Sequence, residues 1–267
     1  MKISIIIPTY NEGETISQLL DAVRSELADM PRHAFSIIVV DGTSKDMTRD
    51  IVKGKMSGNN DLHLIIEEKK GLGIAYVKGM NHAIEVLGAD AFMEFDGDFQ
   101  HDPRDIRKLV AKLDEGYDHV IGSRYIKDGS IPKEWPWYRK ALSSFGNIII
   151  RIGLRMKIHD TTSGFKLTKV SGLKEKLPLG DGDLISLRHA YKIHFLHSIV
   201  KSGARVAEVP INFLNRNKGI SKSTFEDIIE SLKVVWILGV LRGFNGNRLK
   251  NKKRVDEEAA DRKKRSR

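Results

Sequence analysis

Ala91-Phe92-Met93-Glu94-Phe95-Asp96-Gly97-Asp98-Phe99-Gln100-His101-Asp102-Pro103 reads as a strand that stops at two carboxylates and restarts as a helix. The first five residues are short and mostly apolar, as a buried strand should be. Asp102 and Pro103 make an N-cap and first-turn pair. In an α/β sheet the carboxyl ends of the strands are where ligands bind. Asp96 and Asp98 would repel each other unless a cation lies between or beside them. A hard divalent ion suits oxygen ligands and commonly bridges protein carboxylates to substrate phosphates.

The chain before this stretch alternates strand and helix patterns. Lys2 to Pro8 carries Ile3, Ile5, Ile6 and Ile7, the composition of a buried parallel strand. Asn11, with Glu14 three residues on, predicts a capping box for a helix bearing Ile16, Leu19, Leu20, Val23 and Leu27. Ser36 to Asp41 is a second strand ending in a carboxylate, and a helix follows over 46–55. Leu62 to Glu67 is a third strand. Gly71-Leu72-Gly73 then opens a helix running to Leu87. After the acidic stretch, a helix over 103–113 and a strand over 119–123 continue the alternation. The pattern predicts a doubly wound, mostly parallel sheet.

The second half changes character. Trp135-Pro136-Trp137-Tyr138 leads into 139–157, where Leu142, Phe145, Ile148, Ile149 and Ile152 mix with Arg139, Lys140, Arg151 and Lys157. Such amphipathicity suits a domain-packing helix or one lying in a membrane interface. Beyond lie 160–168, a helix over 184–202, a strand over 206–210, a loop over 212–222 and an apolar helix over 225–241 around Trp236. From Arg248 to Arg267 ten Lys/Arg stand against four Asp/Glu, with almost no apolar residues, so this tail is expected to be disordered.

Composition narrows the classes. The 267 residues are 40% hydrophobic, enough for a sizeable core, and the net charge is +10. With no cysteine there is no disulfide and no Cys-based zinc site or nucleophile, which fits a reducing compartment. The opening strand predicts no cleaved leader, and no apolar run reaches the roughly 18 residues of a membrane span. The tail lacks the interleaved aromatics that stack bases, so no nucleic-acid partner is expected.

Pro8, Tyr10 and Glu12 follow the first strand, Asp41 the second, Gly71 and Gly73 the third, Asp98 the fourth and Arg124 the fifth. The glycines would let backbone approach a phosphate closely. An aromatic ring, a carboxylate able to accept from a base N–H, and a metal-binding pair together suit a nucleoside diphosphate.

The chain resembles the family-2 glycosyltransferases of the GT-A fold, in particular the dolichol-phosphate mannose synthase branch. The matching residues are Ile6-Ile7-Pro8-Thr9-Tyr10-Asn11-Glu12, Val39-Val40-Asp41, Gly71-Leu72-Gly73, Asp96 through Pro103, Gly122-Ser123-Arg124-Tyr125, Ser163-Gly164-Phe165, and Val209-Pro210-Ile211 with Arg216, Gly219, Ser221 and Lys222. The resemblance implies a domain over 1–222 that includes an amphipathic interface segment, 135–157. A C-terminal helix over 223–247 and the basic tail over 248–267 complete the expected organisation. It further implies that Pro8, Tyr10, Glu12, Val40, Asp41, Gly71, Gly73, Asp96 and Gly97 bind the donor. Asp96, Asp98 and Gln100 would hold Mg²⁺ or Mn²⁺. Arg124, Arg139, Ser143, Arg216 and Lys222 would bind the acceptor phosphate, with Asp98, Arg124 and Arg216 closest to the chemistry. The implied partners are a nucleoside diphosphate sugar (GDP-mannose or UDP-glucose), a polyprenyl phosphate and the cytosolic face of a membrane, which the chain would meet as a peripheral cytoplasmic protein. Departures from the family pattern are Gly42 after Asp41, and Tyr191-Lys192 with His194 and His197 where a late helix usually carries a Glu.

A phosphate monoester, with a second pKa of about 6, is already a dianionic nucleophile at neutral pH and needs no general base. A single displacement would invert the anomeric carbon. The alternative, transfer to a sugar hydroxyl, needs a carboxylate base, for which Asp160, Asp181 and Asp183 are the candidates.

Overall fold

Residues branched at Cβ are stiff at χ1 and pack well on a pleated surface covered on both sides. That is the setting of β1 (Lys2–Thr9) and β2 (Ala34–Asp41), which lie inside the sheet. The computed structural model describes residues 1–215 and 226–240. With β3 (Leu62–Ile66), β4 (Ala91–Glu94), β5 (His119–Ser123), β6 (Lys166–Lys169) and β7 (Val206–Pro210), the strands form one sheet in the order β3-β2-β1-β4-β6-β5-β7. Every pairing is parallel except those of β6, which runs antiparallel between β4 and β5.

The period-2 alternation of strands sorts side chains between two cores. Ile3, Ile5, Ile7, Ile37 and Val39 face a cluster covered by α1 (Ile16–Ala28), α2 (Thr48–Met56) and α4 (Ile106–Asp114). Ile6, Ile38 and Val40 face the other cluster, under α3 (Leu72–Asn81) and α6 (Tyr191–Lys201). A third cluster joins Ile121 and α6 to Ile150 and Leu154 of α5 (Trp137–Leu154) and to Val234 and Leu238 of α7 (residues 226–240). The first three strands grow outward from β1, and β4 adds on its other side. The connections therefore reverse between β1 and β4, and a crevice opens at their carboxyl ends.

Several boundaries differ from expectation. Asn11 does not cap α1. It sits at φ 56° and its side-chain oxygen accepts from the Lys45 N–H, tying the first loop to the second. The orphan N–H groups before α1 go to the Glu12 carbonyl, 3.0 Å from Thr15 N and 2.9 Å from Ile16 N. The helix over 71–87 is α-helical to Asn81 and continues as a wider π turn, His82–Val86. The helix expected from 184 begins at Tyr191, because Leu187 O accepts from Gly73 N and holds 184–190 as a loop over α3. The strand β6 begins at the end of 160–168, a stretch to which no element was assigned, and runs to Lys169. The tail after Arg248 and the loop after residue 215 lie outside the described residues. Among the described residues no helix is long and apolar enough to cross a membrane.

Candidate active site

The loops after β1, β2 and β4 meet at the crevice. Each holds a non-glycine residue in the left-handed region: Asn11 at φ 56°, Thr43 at 59° and Phe99 at 61°. Such conformations persist where surrounding structure enforces them, and they cluster at functional sites. Gly97 allows the acidic loop to lie on β1, since an added Cβ would stand 2.9 Å from the Pro8 carbonyl oxygen.

Asp96 is met from three sides. The Tyr76 hydroxyl donates to Oδ1 at 2.7 Å, while His101 Nε2 and Lys192 Nζ lie 3.3 and 3.5 Å from Oδ2. Burial raises the Asp96 pKa, but Lys192, His101 and Tyr76 outweigh it and hold the carboxyl well below the usual range. Asp98 is buried, and its Oδ1 accepts the Gln100 N–H at 3.1 Å. Gln100 in turn pairs with the residues that follow β7: Leu214 N donates to Gln100 O at 2.8 Å. Asp96, Asp98 and Gln100 offer only oxygen donors on one turn, which fits a hard divalent cation. Among the described residues no three His, Asp or Glu side chains cage a metal by themselves. An ion held through one or two carboxylates plus substrate phosphates needs no such cage.

The nucleoside side is built differently from expectation. Tyr10 presents its ring, with Lys69 Nζ 3.4 Å from the centroid. Glu12 lies in the loop behind it, its N–H donating to Thr48 Oγ1 at 2.9 Å. Asp41 is fully buried, and its oxygens accept from Thr9 Oγ1, Ser44 Oγ and Ser44 N at 3.1, 2.5 and 2.8 Å. It fastens the first two loops together. Val40, expected to bind the donor, has its side chain fully buried in the core against α3, because its register turns it to that face of the sheet, which leaves its backbone as the part able to meet a donor. Gly71 and Gly73 do give a close approach, but to protein. Added Cβ atoms would stand 2.2 Å from Leu187 O and 2.9 Å from Tyr191 Cβ.

On the other side of the crevice Arg124 is locked to Asp160. Its Nε and Nη2 donate to the two carboxylate oxygens at 2.7 Å each, and Nη2 also reaches Thr162 Oγ1 at 2.9 Å. Burial works against both charges, yet each partner outweighs it, raising the arginine and lowering the acid. A carboxylate so held is a poor proton acceptor, which removes Asp160 as a general base. The Asp183 carboxylate accepts the Gly180 N–H at 2.8 Å in its own turn. The inner face of α5 reaches the surroundings of Arg124 through its neighbours Tyr125 and Thr162. Ser143 Oγ is 2.6 Å from the Tyr125 hydroxyl, and Asn147 Oδ1 accepts from Thr161 N and Oγ1 at 2.8 and 2.7 Å. Arg139, one turn before Ser143, stacks its guanidinium 4.0 Å from the Trp135 ring centroid.

The outer face of α5 is apolar and, among the described residues, uncovered. Trp137 is 81% exposed and Ile152 72%, with Leu142, Phe145 and Ile148 between them. Trp137, Leu142, Phe145 and Ile148 line an open groove of about 500 Å³ with Tyr138. Trp236 on α7 is 69% exposed, between Val234 and Leu238 in sequence, which are buried with Ile150 and Leu154 of α5. Arg216 and Lys222 lie outside the described residues. Sequence reasoning missed Tyr76, Ser44 and Thr162, each of which reads alone as an ordinary helix or loop residue, and marked Lys192 only as a departure from the family pattern, without placing it at the acidic turn. The Ser163-Gly164-Phe165 match was the available signal, since Gly164 lies against Asp96 and Lys192.

Residues 4–176 match the model of Glycosyl transferase family 2. The chain is 33% identical over 230 residues to the polyprenol monophosphomannose synthase of Mycolicibacterium smegmatis, covering 85% of this chain and 83% of that one. It is 34% identical over 244 residues to the dolichol-phosphate mannosyltransferase of Pyrococcus furiosus, covering 89% of this chain but only 64% of that relative's length. Among solved structures, glucosyl-3-phosphoglycerate synthase from Mycobacterium tuberculosis, bound to Mn²⁺, UDP and its product, superposes with a TM-score of 0.61 at 19% identity, covering 88% and 77% of the two chains. At that identity the likeness establishes a shared fold, the GT-A arrangement.

Proposed function

The chain belongs to glycosyl transferase family 2, and on that premise we propose that it moves a hexose, mannose or glucose, from a nucleoside diphosphate to a polyprenyl phosphate at a membrane surface. One observation carries this reading. The helix whose inner face meets Arg124 through Tyr125 and Ser143 is the same helix whose outer face exposes Trp137, Phe145 and Ile152. A phosphate and a long apolar chain can thus be met by one element. The name of the relative 33% identical to this chain supports it.

Tyr10 offers its ring to the base, and Asp41 holds the loops that shape that side. Asp96, Asp98 and Gln100 would hold Mg²⁺ or Mn²⁺, which when bound supplies neutralisation of charge on the departing diphosphate. Arg139 and Ser143 orient the acceptor phosphate, with Arg124 fixed as a cation behind them and Arg216 and Lys222 completing the clamp. Orientation of two reactants for in-line displacement is itself a large part of the rate. The acceptor dianion attacks without a protein base. The sugar-hydroxyl alternative loses one of its three candidate bases, because pairing with Arg124 leaves Asp160 weakly basic, and keeps Asp181 and Asp183. The protein would work as a peripheral one on the cytosolic face, with 135–157 and α7 against lipid and the 248–267 tail adding charge attraction.

Incubation with a panel of labelled nucleotide sugars and a short polyprenyl phosphate tests this. Labelled glycosyl phosphate lipid from GDP-mannose or UDP-glucose is the expected product. No lipid product from any donor would refute the reading.

A further inference from the structure

The buried cluster under the acidic loop contains a cation that the transfer reaction as described does not use. Lys192 stands in the first turn of α6, its side chain 8% exposed. Among the described residues its Nζ has Asp96 Oδ2 as hydrogen-bond partner, at 3.5 Å. The site is built around the pair. A Cβ at Gly164 would lie 2.1 Å from Asp96 Oδ2 and 2.6 Å from Lys192 Nζ, so only glycine leaves room for both. Tyr76 and His101 occupy the rest of the same carboxylate. Two residues before Asp96, Glu94 faces Lys166 at 3.6 Å, both fully buried, so the acidic floor is matched by lysines before anything binds.

An ammonium beside a ligand carboxylate acts oppositely on the two components of a metal–diphosphate pair. It repels a lone divalent cation and attracts a diphosphate. The ammonium is a compact point charge with three donors and suits phosphate oxygens as well as carboxylate. Within a few ångströms and out of bulk water, one unit of charge is enough to change either affinity markedly.

We infer that Lys192 is a charge-setting, positioning residue of the donor site: it acts through Asp96 to keep a divalent ion from binding the empty protein tightly, so that the ion enters with the nucleoside diphosphate, which Lys192 itself helps to attract. This rests on the donor-site reading given above. It differs from simple structural packing because it predicts opposite changes in two binding constants.

Titration of the full chain with Mn²⁺ alone, followed by electron paramagnetic resonance, and calorimetric titration with GDP and UDP in excess chelator, test it. Lys192→Gln should bind Mn²⁺ about ten-fold more tightly than wild type, and bind the nucleoside diphosphate about ten-fold more weakly in chelator. Lys192→Arg, which keeps the charge, should shift neither constant more than two- to three-fold. Lys192→Met, similar in shape and uncharged, carries the same expectation as Gln and replaces it if the Gln variant does not fold. Mn²⁺ affinity that is equal or weaker in the uncharged variants, absence from all proteins included, overturns the role. Transfer of labelled sugar by Lys192→Arg separates the two readings. If transfer persists while Mn²⁺ affinity is unchanged in the uncharged variants, the function stands and Lys192 falls.

Discussion

The two walls of the crevice are built on opposite terms. On the β1–β4 side the functional groups are buried and clasped: Asp41 by Thr9 and Ser44, and Asp96 by Tyr76, His101 and Lys192. On the α5 side a clasped pair, Arg124 with Asp160, lies behind a helix whose outer face leaves Trp137 and Ile152 mostly in water. The difference follows from what each wall meets. A diphosphate and its metal ion need preorganised dipoles and charges, which only a fixed shell holds in place. An apolar surface of this size left uncovered marks a site for another apolar phase. The crevice thus joins a fixed polar wall to one whose outer face is apolar and exposed among the described residues.

The sharpest break of this contrast is to unclasp Arg124. Asp160→Ala leaves a buried guanidinium without its partner, and the loss is expected to be about 3–5 kcal/mol in urea unfolding. Removing a clasped ligand on the polar wall should instead spare the fold and stop the reaction. Asp98→Ala is expected to lower turnover by about 10²–10³-fold, and excess chelator should silence the wild type. Full turnover in chelator would detach the acidic turn from the metal.

A third test concerns the floor that both walls share. Burial pushes His119, on β5 opposite Thr168, down to a pKa of about 3 from 6.5. The unfolded chain takes up that proton near pH 6.5 and the native protein only near 3. Stability is therefore fully present above 6.5 and is lost as pH falls below it. Between pH 7 and 5 the wild type should lose about 2 kcal/mol more than His119→Leu, measured by urea unfolding at each pH.

Arg139 tests where the α5 wall becomes polar. An arginine binds phosphate bidentately and a lysine does not, so Arg139→Lys should lower kcat/KM for the acceptor about ten-fold with donor affinity unchanged. Near wild-type kinetics would leave Arg139 as a side chain stacked on Trp135. The smallest effect on the fold, and the cleanest on the surface, belongs to Phe145→Ser. Phe145 is 60% exposed, so stability should change by no more than about 0.5 kcal/mol, while binding to lipid vesicles weakens in a flotation assay.

The polar wall was legible in sequence because its strands write their burial as runs of Ile and Val and end at chemically loud residues. Ile3 to Ile7 and Ile37 to Val40 place Tyr10 and Asp41, and 91–95 places Asp96 and Asp98. The reading failed where partners come from far along the chain. Lys192 and Tyr76 look like helix residues until α3 and α6 are packed over β4. The strand β6 was hidden because it is four residues long and its Lys166 and Thr168 are buried polar side chains, which period-2 hydrophobicity does not register. Gly71 and Gly73 were correctly read as points of close approach, but local sequence does not say that the approaching group is Leu187. The apolar face of α5 was visible as a pattern, and only the fold shows that it stays uncovered among the described residues.

The central claim is that the acceptor is a phosphate carried on an apolar chain. It is tested most directly by offering the protein, at saturating labelled donor, a polyprenyl phosphate and the corresponding polyprenol side by side. The account predicts labelled glycosyl phosphate from the first and no product from the second, since no described carboxylate at Arg124 is available to deprotonate an alcohol. Comparable transfer to the alcohol would contradict it.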